Sequence, residues 1–179
     1  MSARRAPRGF LRWAWQGFGR TFRQPSDVLL CLRIGYFLCA LPYRLERQPL
    51  PEILRRIAAG SRRAAVDPID AGVERIARLR QAWLNLPMLA ARNTCYVRAI
   101  TLFRFLDGGG RLCIHIGVEP GVAADDRLRG HAWVTHRGRL LEPPEPVLAG
   151  RVKELYVYAQ DGDSPRSDAA PRVRHSQDV

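Results

Sequence analysis

The apolar residues of this chain change their spacing once, close to the glycine-rich segment 107–110. Before that segment they recur every three or four positions, which is the period of a helix with one buried face. From Arg111 onward they alternate with other residues, as in a strand that buries one face. Helices followed by strands are typical of an α+β protein. The sequence therefore predicts a helical N-terminal region followed by a core of one helix and an antiparallel sheet.

Two helices are predicted in the first third of the chain. The first starts at Ser26 or Asp27, whose side-chain oxygen suits an N-cap because it accepts from the unpaired amides of the first turn. It continues through Leu41 and ends at Pro42, which lacks a backbone N–H. The second covers Pro51 to Ala65, with apolar side chains on one face and arginines on the other.

Two further helices are predicted before the glycine-rich segment. The pair Asp67-Pro68 suits the N-cap and first position of one, which runs to Trp83. The pair Asn93-Thr94 caps the other, which runs from Cys95 to about Leu106.

Four strands are predicted after these helices. The pair Arg137-Gly138 suits a two-residue hairpin turn, which would place Thr135 opposite Leu140 and Trp133 opposite Glu142. The predicted strands are residues 112–118, 130–136, 139–142 and 152–159, and a polar loop covers 119–129.

These patterns divide the chain into four segments. The predicted segments are a basic aromatic arm (1–24), the helical region (25–88), the core (89–159) and a disordered tail (160–179). The arm lacks the apolar core and cleavage site of a signal peptide. The longest apolar stretch, 28–41, contains Arg33 and is shorter than the roughly 20 residues that a membrane-spanning helix needs. No transmembrane segment is therefore predicted.

The cysteines lie inside apolar segments and lack the close spacing of a disulfide framework or a zinc site. This usage predicts free thiols in a reducing cytoplasm. No motif implies a metal ion or an organic cofactor. The four cysteines are Cys31, Cys39, Cys95 and Cys113.

The formal net charge of the chain is +12, and nearly all of the positive charge comes from arginine. A GC-rich genome also produces this composition with its single lysine, Lys153, so a solvated basic surface is the simpler interpretation. Attraction to an acidic peptide, an anionic membrane or nucleic acid is the alternative. No nucleic-acid partner is expected. In the arm, Trp13 and Trp15 fit either peripheral membrane contact or docking to a protein.

Cys95 and His131 form the candidate catalytic pair. Cys95 directly follows the predicted cap, where the helix dipole and free amides favour the thiolate, the reactive form of cysteine. Histidine is the usual base for such a thiol because its protonation changes near neutral pH. His131 precedes bulky residues that can shield its ring from water, whereas His115 and His136 are interpreted as structural. A cysteine among apolar helix residues is, taken alone, most often a buried hydrophobe.

A third residue should orient the imidazole. In the predicted hairpin register, Glu142 lies diagonal to His131 on the same face of the sheet. Glu142 is therefore predicted as the third member, with Glu145 behind it. Trp133 is a candidate for stacking on a substrate, although a tryptophan beside a strand histidine more often packs in the core.

The segments around this pair resemble a known family. They are similar to the transglutaminase-like cysteine proteases that mature lasso peptides, relatives of the enzyme that processes microcin J25. The order and spacing of the segments, which cover roughly a third of the chain, are more specific than a lone cysteine and histidine. The resemblance implies a transglutaminase-like, papain-like fold. The matching segments are Thr94–Ala99, Ile114–Val118, Gly130–Val134 and Gly138-Arg139.

The resemblance also implies an activity, which is removal of a leader from a ribosomally made precursor peptide. Cys95 would attack the scissile carbonyl, and His131 would accept the thiol proton and return it to the leaving amine. The implied partners are the precursor peptide, a separate leader-recognition protein and a cyclase. In the family an aspartate follows the histidine by about a dozen residues. Here Pro143 stands near that position beside Glu142, so either glutamate takes this role or the third member is absent.

Two other functions fit the same residues. One is a non-catalytic peptide-binding or scaffold protein that keeps the fold without a complete triad. The other is an acyl transferase that uses the same thiolate with an amine acceptor, because hydrolysis and transfer share the acyl-enzyme.

Overall fold

The computed structural model describes residues 22–60, 69–91, 93–106, 112–120 and 129–160. The helices are α1 (Pro25–Arg47), α2 (Leu50–Gly60), α3 (Ile69–Leu84), α4 (Pro87–Ala90), α5 (Cys95–Phe105) and α6 (Glu145–Leu148). The strands are β1 (Leu112–Glu119), β2 (Arg129–His136), β3 (Arg139–Leu141) and β4 (Lys153–Ala159). This order of helices and strands confirms the predicted α+β fold. Predictions that fall on residues 1–21, 61–68, 92, 107–111, 121–128 and 161–179 lie outside the described residues.

Helix α1 is longer than predicted. Pro42 lies inside it, so the prediction that this proline ends the helix is wrong. A proline within a helix removes one backbone hydrogen bond and crowds the preceding turn. The helix continues because Ile34, Leu38 and Leu41 on its inner face are buried in the core, and this burial outweighs the lost bond.

The start of α1 also differs from the prediction. Gln24 is the N-cap, so neither Ser26 nor Asp27 occupies that position. Asp27 instead lies within the first turn, where its carboxylate accepts hydrogen bonds from the backbone N–H groups of Arg23 (2.8 Å) and Gln24 (3.2 Å). The carboxylate thus satisfies, from inside the helix, the amides of the N-cap and of the residue before it.

The same carboxylate links α1 to α3. Asp27 is 1% exposed, accepts a hydrogen bond from Arg75 Nε at 2.6 Å and lies 3.4 Å from Arg78. Burial raises the pKa of Asp27, but hydrogen bonds from the Arg23 amide and from Arg75 outweigh it and hold that pKa below its ordinary value. The carboxylate therefore stabilises the fold in its charged form.

We expect Asp27→Asn to lower the free energy of unfolding at pH 7 by about 2 kcal/mol, because two arginines lose their shared carboxylate. The pKa of Asp27 is lower in the folded chain than in the unfolded chain. Its contribution is therefore complete above about pH 4 and is lost as the pH falls through the folded value. Urea unfolding of both proteins at neutral and acidic pH measures the difference, which should narrow in acid. A difference independent of pH would contradict the role of the charge.

The four strands form one antiparallel sheet in the order β3-β2-β1-β4. The β2–β3 hairpin turns at Arg137 and Gly138, which both have positive φ. Its register confirms the three pairs nearest the turn, Thr135 with Leu140 among them. The predicted fourth pair is absent because β3 ends one residue before Glu142, which has a φ of 47° and leaves the strand.

The two faces of the sheet have different surroundings. One face packs on α5 and joins a single buried cluster that also includes residues of α1, α2 and α3. The helices and the sheet therefore share one core. Cross-strand partners in an antiparallel pair point to the same face, so the register assigns the other face. That face carries Cys113, His115, Gly117 and Glu119 from β1 with His131, Trp133 and Thr135 from β2.

By length and composition alone, α1 is one helix that could cross a membrane, and about a third of its most apolar window is buried inside the protein (33%). A core helix of a soluble protein meets the same criteria. The absence of a transmembrane segment therefore stays a prediction.

Candidate active site

The first turn of α5 presents Cys95 as the sequence predicted. Thr94 is the N-cap, and its Oγ1 accepts a hydrogen bond from the backbone N–H of Val97 at 3.3 Å. Cys95 is the first residue of the helix and is partly exposed. The unpaired amides of a helix N-terminus favour negative charge at this point. The position suits a reactive thiol.

The thiol contacts the start of β2. Cys95 Sγ donates a hydrogen bond to the carbonyl oxygen of Gly130, with the two atoms 3.6 Å apart. The ring of Tyr96 covers Gly130, where a Cβ atom would lie 3.3 Å from Tyr96 Cε2. Helix α5 thus holds the nucleophile candidate against the residue that precedes His131.

The imidazole of His131 lies on the other side of this strand. His131 is opposite Gly117 of β1, whereas Ala132 and Val134 are buried in the core that α5 covers. Because side chains alternate along a strand, His131 points away from that core. No hydrogen bond joins Cys95 Sγ to the imidazole among the described residues. The structure therefore brings Cys95 to the backbone beside His131 but does not form the predicted thiol–imidazole contact.

Both ring nitrogens of His131 are buried without a hydrogen bond to any described residue. A buried polar group without a partner is uncommon and calls for an explanation. A catalytic base that exchanges a proton with substrate is one such explanation. The side chain of His131 is 14% exposed.

The carboxylate nearest to His131 belongs to Glu119. Its Oε2 lies 3.4 Å from His131 Nε2, although without the alignment of a hydrogen bond. Glu119 pairs with Arg129 and is therefore diagonal to His131 across the two strands. Arg151 Nε donates to the other oxygen of Glu119 at 2.8 Å and fixes the carboxylate.

Sequence reasoning missed Glu119 because the predicted first strand ended at Val118. The structure extends β1 by one residue, and Glu119 continues the alternation of His115 and Gly117 on one face. This alternation is the sequence feature from which Glu119 could have been predicted to lie on the same face. Glu145, the reserve candidate, contacts Arg151 at 2.7 Å and is thus joined to Glu119 through that arginine.

Glu142 contacts Arg80 and does not contact His131. Its two oxygens accept hydrogen bonds from Arg80 at 2.9 and 3.1 Å. The predicted bridge between Glu142 and His131 is not formed, because the strand ends before Glu142 and the backbone turns away. Arg80 itself is 1% exposed and also donates to the carbonyl oxygen of Arg98.

A small cavity lies beside the thiol. Its volume is about 20 Å³, room for about one water molecule. Cys95, Trp133 and Glu142 are among the residues that line it. A peptide does not fit this volume.

Trp133 and His115 form a packed polar cluster on the face that carries His131. Their rings stack with centroids 5.3 Å apart, and Trp133 is 4% exposed. The His115 ring nitrogens contact Glu154 (2.5 Å) and Thr135 (2.8 Å). Burial lowers the pKa of His115 and outweighs the opposite effect of Glu154. These contacts fit the interpretation of His115 as a structural residue. The ring of Trp133 packs against this histidine.

Within the described ranges, no group of three or more histidine, cysteine or acidic side chains could hold a metal ion. The site brings a thiol close to the backbone of a histidine, with carboxylates nearby. This set can support nucleophilic attack with proton transfer.

Comparison with known proteins gives one match. The family model described as transglutaminase-like superfamily matches residues 37–156. It spans the candidate site, from Arg80 through Cys95 and His131 to Glu154. No curated protein and no solved structure matches the chain.

Proposed function

Because the chain belongs to the transglutaminase-like superfamily, we propose that it is a thiol hydrolase that cleaves peptides, with Cys95 as nucleophile and His131 as base. One observation carries this proposal: Cys95 opens a capped helix and contacts the backbone next to His131. The buried, unpartnered imidazole supports it. Because the imidazole points away from the core that α5 covers, the proposal requires the His131 side chain to change rotamer and approach the thiol when substrate binds.

The reaction starts when both side chains change rotamer, so that Cys95 leaves the Gly130 carbonyl and passes its proton to the imidazole of His131. The sulfur then bonds to the scissile carbonyl carbon, and the backbone N–H of Cys95 would stabilise the oxyanion. The C–N bond breaks, and the leaving amine takes the proton from His131. Water attacks the resulting thioester, which releases the acid and restores the thiol.

The proposed substrate is the leader region of a ribosomally made, lasso-type precursor peptide, processed in the cytoplasm. The support is the resemblance of the segments around Cys95 and His131 to the proteases of that pathway. A separate leader-recognition protein and a cyclase would be the partners. Mass spectrometry of a precursor peptide incubated with the protein, with and without a recognition protein, tests this: a single cut at the end of the leader is expected.

Glu119 is proposed as the positioning residue for His131, in place of Glu142. The support is its 3.4 Å approach and its clamp by Arg151, whereas Glu142 is engaged by Arg80. A carboxylate beside the imidazole holds the ring in one orientation.

We expect Glu119→Gln to lower kcat by about tenfold or more with little change in KM, because orientation of the base matters in the chemical step. Glu119→Asp should recover part of the loss. Steady-state peptide cleavage measures both constants, with Glu142→Gln as the matched control. A larger loss of kcat in the Glu142 variant would restore Glu142 as the third catalytic residue.

A hydrolase transfers the acyl group from the enzyme to water, whereas an acyl transferase transfers it to an amine. Adding a glycine amide to the cleavage reaction should leave the free acid as the main product if the protein is a hydrolase. Amide product in excess of free acid would assign an acyl transferase instead.

A non-catalytic peptide-binding protein of the same fold is the second candidate. Two observations favour it. The thiol of Cys95 is hydrogen-bonded to the Gly130 carbonyl and not to His131, and the carboxylate of Glu142 is hydrogen-bonded to Arg80. This candidate requires that the intact protein cleaves no peptide that it binds.

A further inference from the structure

Arg98 lies one turn after Cys95 on the helix that carries the nucleophile candidate. Residues three apart on a helix lie on the same side, with about 5–6 Å between their Cβ atoms. Side chains of a helix also tilt toward its N-terminus, so Arg98 leans toward the turn that begins with Cys95. Both residues line the small cavity beside the thiol. The geometry of α5 therefore brings a guanidinium to the candidate site.

The backbone of Arg98 is held in place while its side chain is exposed. Its carbonyl oxygen accepts a hydrogen bond from the buried Arg80 at 3.2 Å, and its backbone N–H donates to the Thr94 carbonyl at 3.0 Å. The residues that line the cavity all belong to the described ranges 93–106 and 129–160. The position of Arg98 beside the thiol thus depends on well-anchored backbone, and its guanidinium is accessible to a ligand.

The charge of Arg98 is not balanced by a carboxylate of the described residues. Glu142 lines the same cavity, but both of its oxygens accept hydrogen bonds from Arg80, at 2.9 and 3.1 Å. The guanidinium of Arg98 has no ion pair or hydrogen bond within the described ranges. The helix dipole adds positive potential at the start of α5. A negative group beside the thiol is therefore favoured.

We propose that Arg98 is a specificity-determining residue, which binds a glutamate or aspartate side chain of the substrate within about two residues of the bond that Cys95 attacks. An extended peptide advances roughly 3.3 Å per residue, so two residues span a length comparable with the separation of Cys95 and Arg98. Arginine and a carboxylate can form two parallel hydrogen bonds, which fix the position of the ligand as well as its charge. The inference rests on the proposed function, since it names the substrate feature that the same site selects.

Two alkylating reagents test the proposal without a peptide substrate. Iodoacetate carries a carboxylate, whereas iodoacetamide is neutral and of similar size, and peptide mapping by mass spectrometry reads Cys95 apart from the other cysteines. The ratio of the two rates at Cys95 cancels the reactivity of the thiol itself. A unit positive charge about 6 Å away favours an anion about threefold in water. The ratio should therefore fall about threefold or more in Arg98→Gln at low salt, and the difference should shrink as salt is raised.

Arg55→Gln is the matched control, because Arg55 is an exposed arginine of α2 outside the cavity and the charge change is the same. It should leave the ratio of the two rates unchanged. Arg98→Lys should retain most of the ratio, because it keeps the charge. Equal ratios in the unmodified protein and in Arg98→Gln would overturn the proposal. An equal fall in the Arg55 variant would also overturn it, by showing a diffuse effect of net charge.

Peptide cleavage tests the choice of substrate. Peptides that the protein cleaves are compared as pairs that carry glutamate or glutamine at each of the two positions on either side of the cut. Glutamate at one of these positions should raise kcat/KM at least about threefold, and Arg98→Gln should remove the preference. Equal kcat/KM within every pair would overturn the specificity role. If no peptide is cleaved while Arg98→Gln still lowers the alkylation ratio, the proposed peptidase activity fails and the carboxylate site beside the thiol stands.

Discussion

Replacing Cys95 with alanine is expected to lower peptide cleavage by at least about a thousandfold, because no other group of the site can form the acyl-enzyme. Cys95 is partly exposed and its thiol hydrogen-bonds to the Gly130 carbonyl, so the variant should remain folded. Cleavage of a quenched-fluorescent peptide library, followed by mass spectrometry of the products, measures the loss.

Cys39→Ala is the matched control for this experiment. Cys39 is an exposed cysteine of α1, and its removal should leave the rate unchanged. Cleavage that persists in the Cys95 variant would show that the activity uses another nucleophile. If the unmodified protein binds peptides in the library and cleaves none of them, the non-catalytic alternative becomes the account of its function.

The largest effect on stability is expected for Arg80→Met. Arg80 is 1% exposed, and its removal leaves the Glu142 carboxylate and the Arg98 carbonyl without their donor. Removing one partner of a buried ion pair costs about 3–5 kcal/mol. We expect a loss of about 3 kcal/mol in the free energy of unfolding, since the Glu142 side chain is still 21% exposed. Urea unfolding measures it.

The double variant Arg80→Met, Glu142→Leu should recover much of this loss, because it removes both charges together. Arg139→Met is the surface control. It breaks an exposed ion pair with Asp70 and should leave the unfolding curve unchanged. A similar loss in the double variant would show that Arg80 acts through its packing and not through its charge.

Local patterns predicted the parts of the fold that depend on local chemistry. The Thr94 cap, the start of α5 at Cys95 and the turn at Arg137 follow from the residue types at those positions. Pro42 was misjudged because its cost is local while the burial of α1 that offsets it depends on α3 and α5, which are distant in sequence. The spacing of apolar residues does not show whether the free energy gained by burying a helix face exceeds the cost of a proline within the helix.

The candidate site was predictable to the same extent. The candidate nucleophile, Cys95, and the candidate base, His131, come from segments whose capping and alternation are visible in the sequence. The third residue could not be predicted in this way. Whether Glu119 or Glu142 lies near His131 depends on where β1 and β3 end, to within one residue. The end of β3 at Leu141 turns Glu142 toward Arg80, a partner 62 residues earlier in the chain.

The rate at which iodoacetamide alkylates Cys95 tests the central claim most directly, because it needs no substrate. Peptide mapping by mass spectrometry reads Cys95 separately from the other cysteines. The variants compared are His131→Ala and, as control, His136→Ala, a partly buried histidine at the far end of β2. A neighbouring imidazolium favours the reactive thiolate. We expect the His131 variant to react at least about tenfold more slowly at neutral pH, with the control unchanged. Equal rates in all three proteins would contradict the pairing of Cys95 with His131.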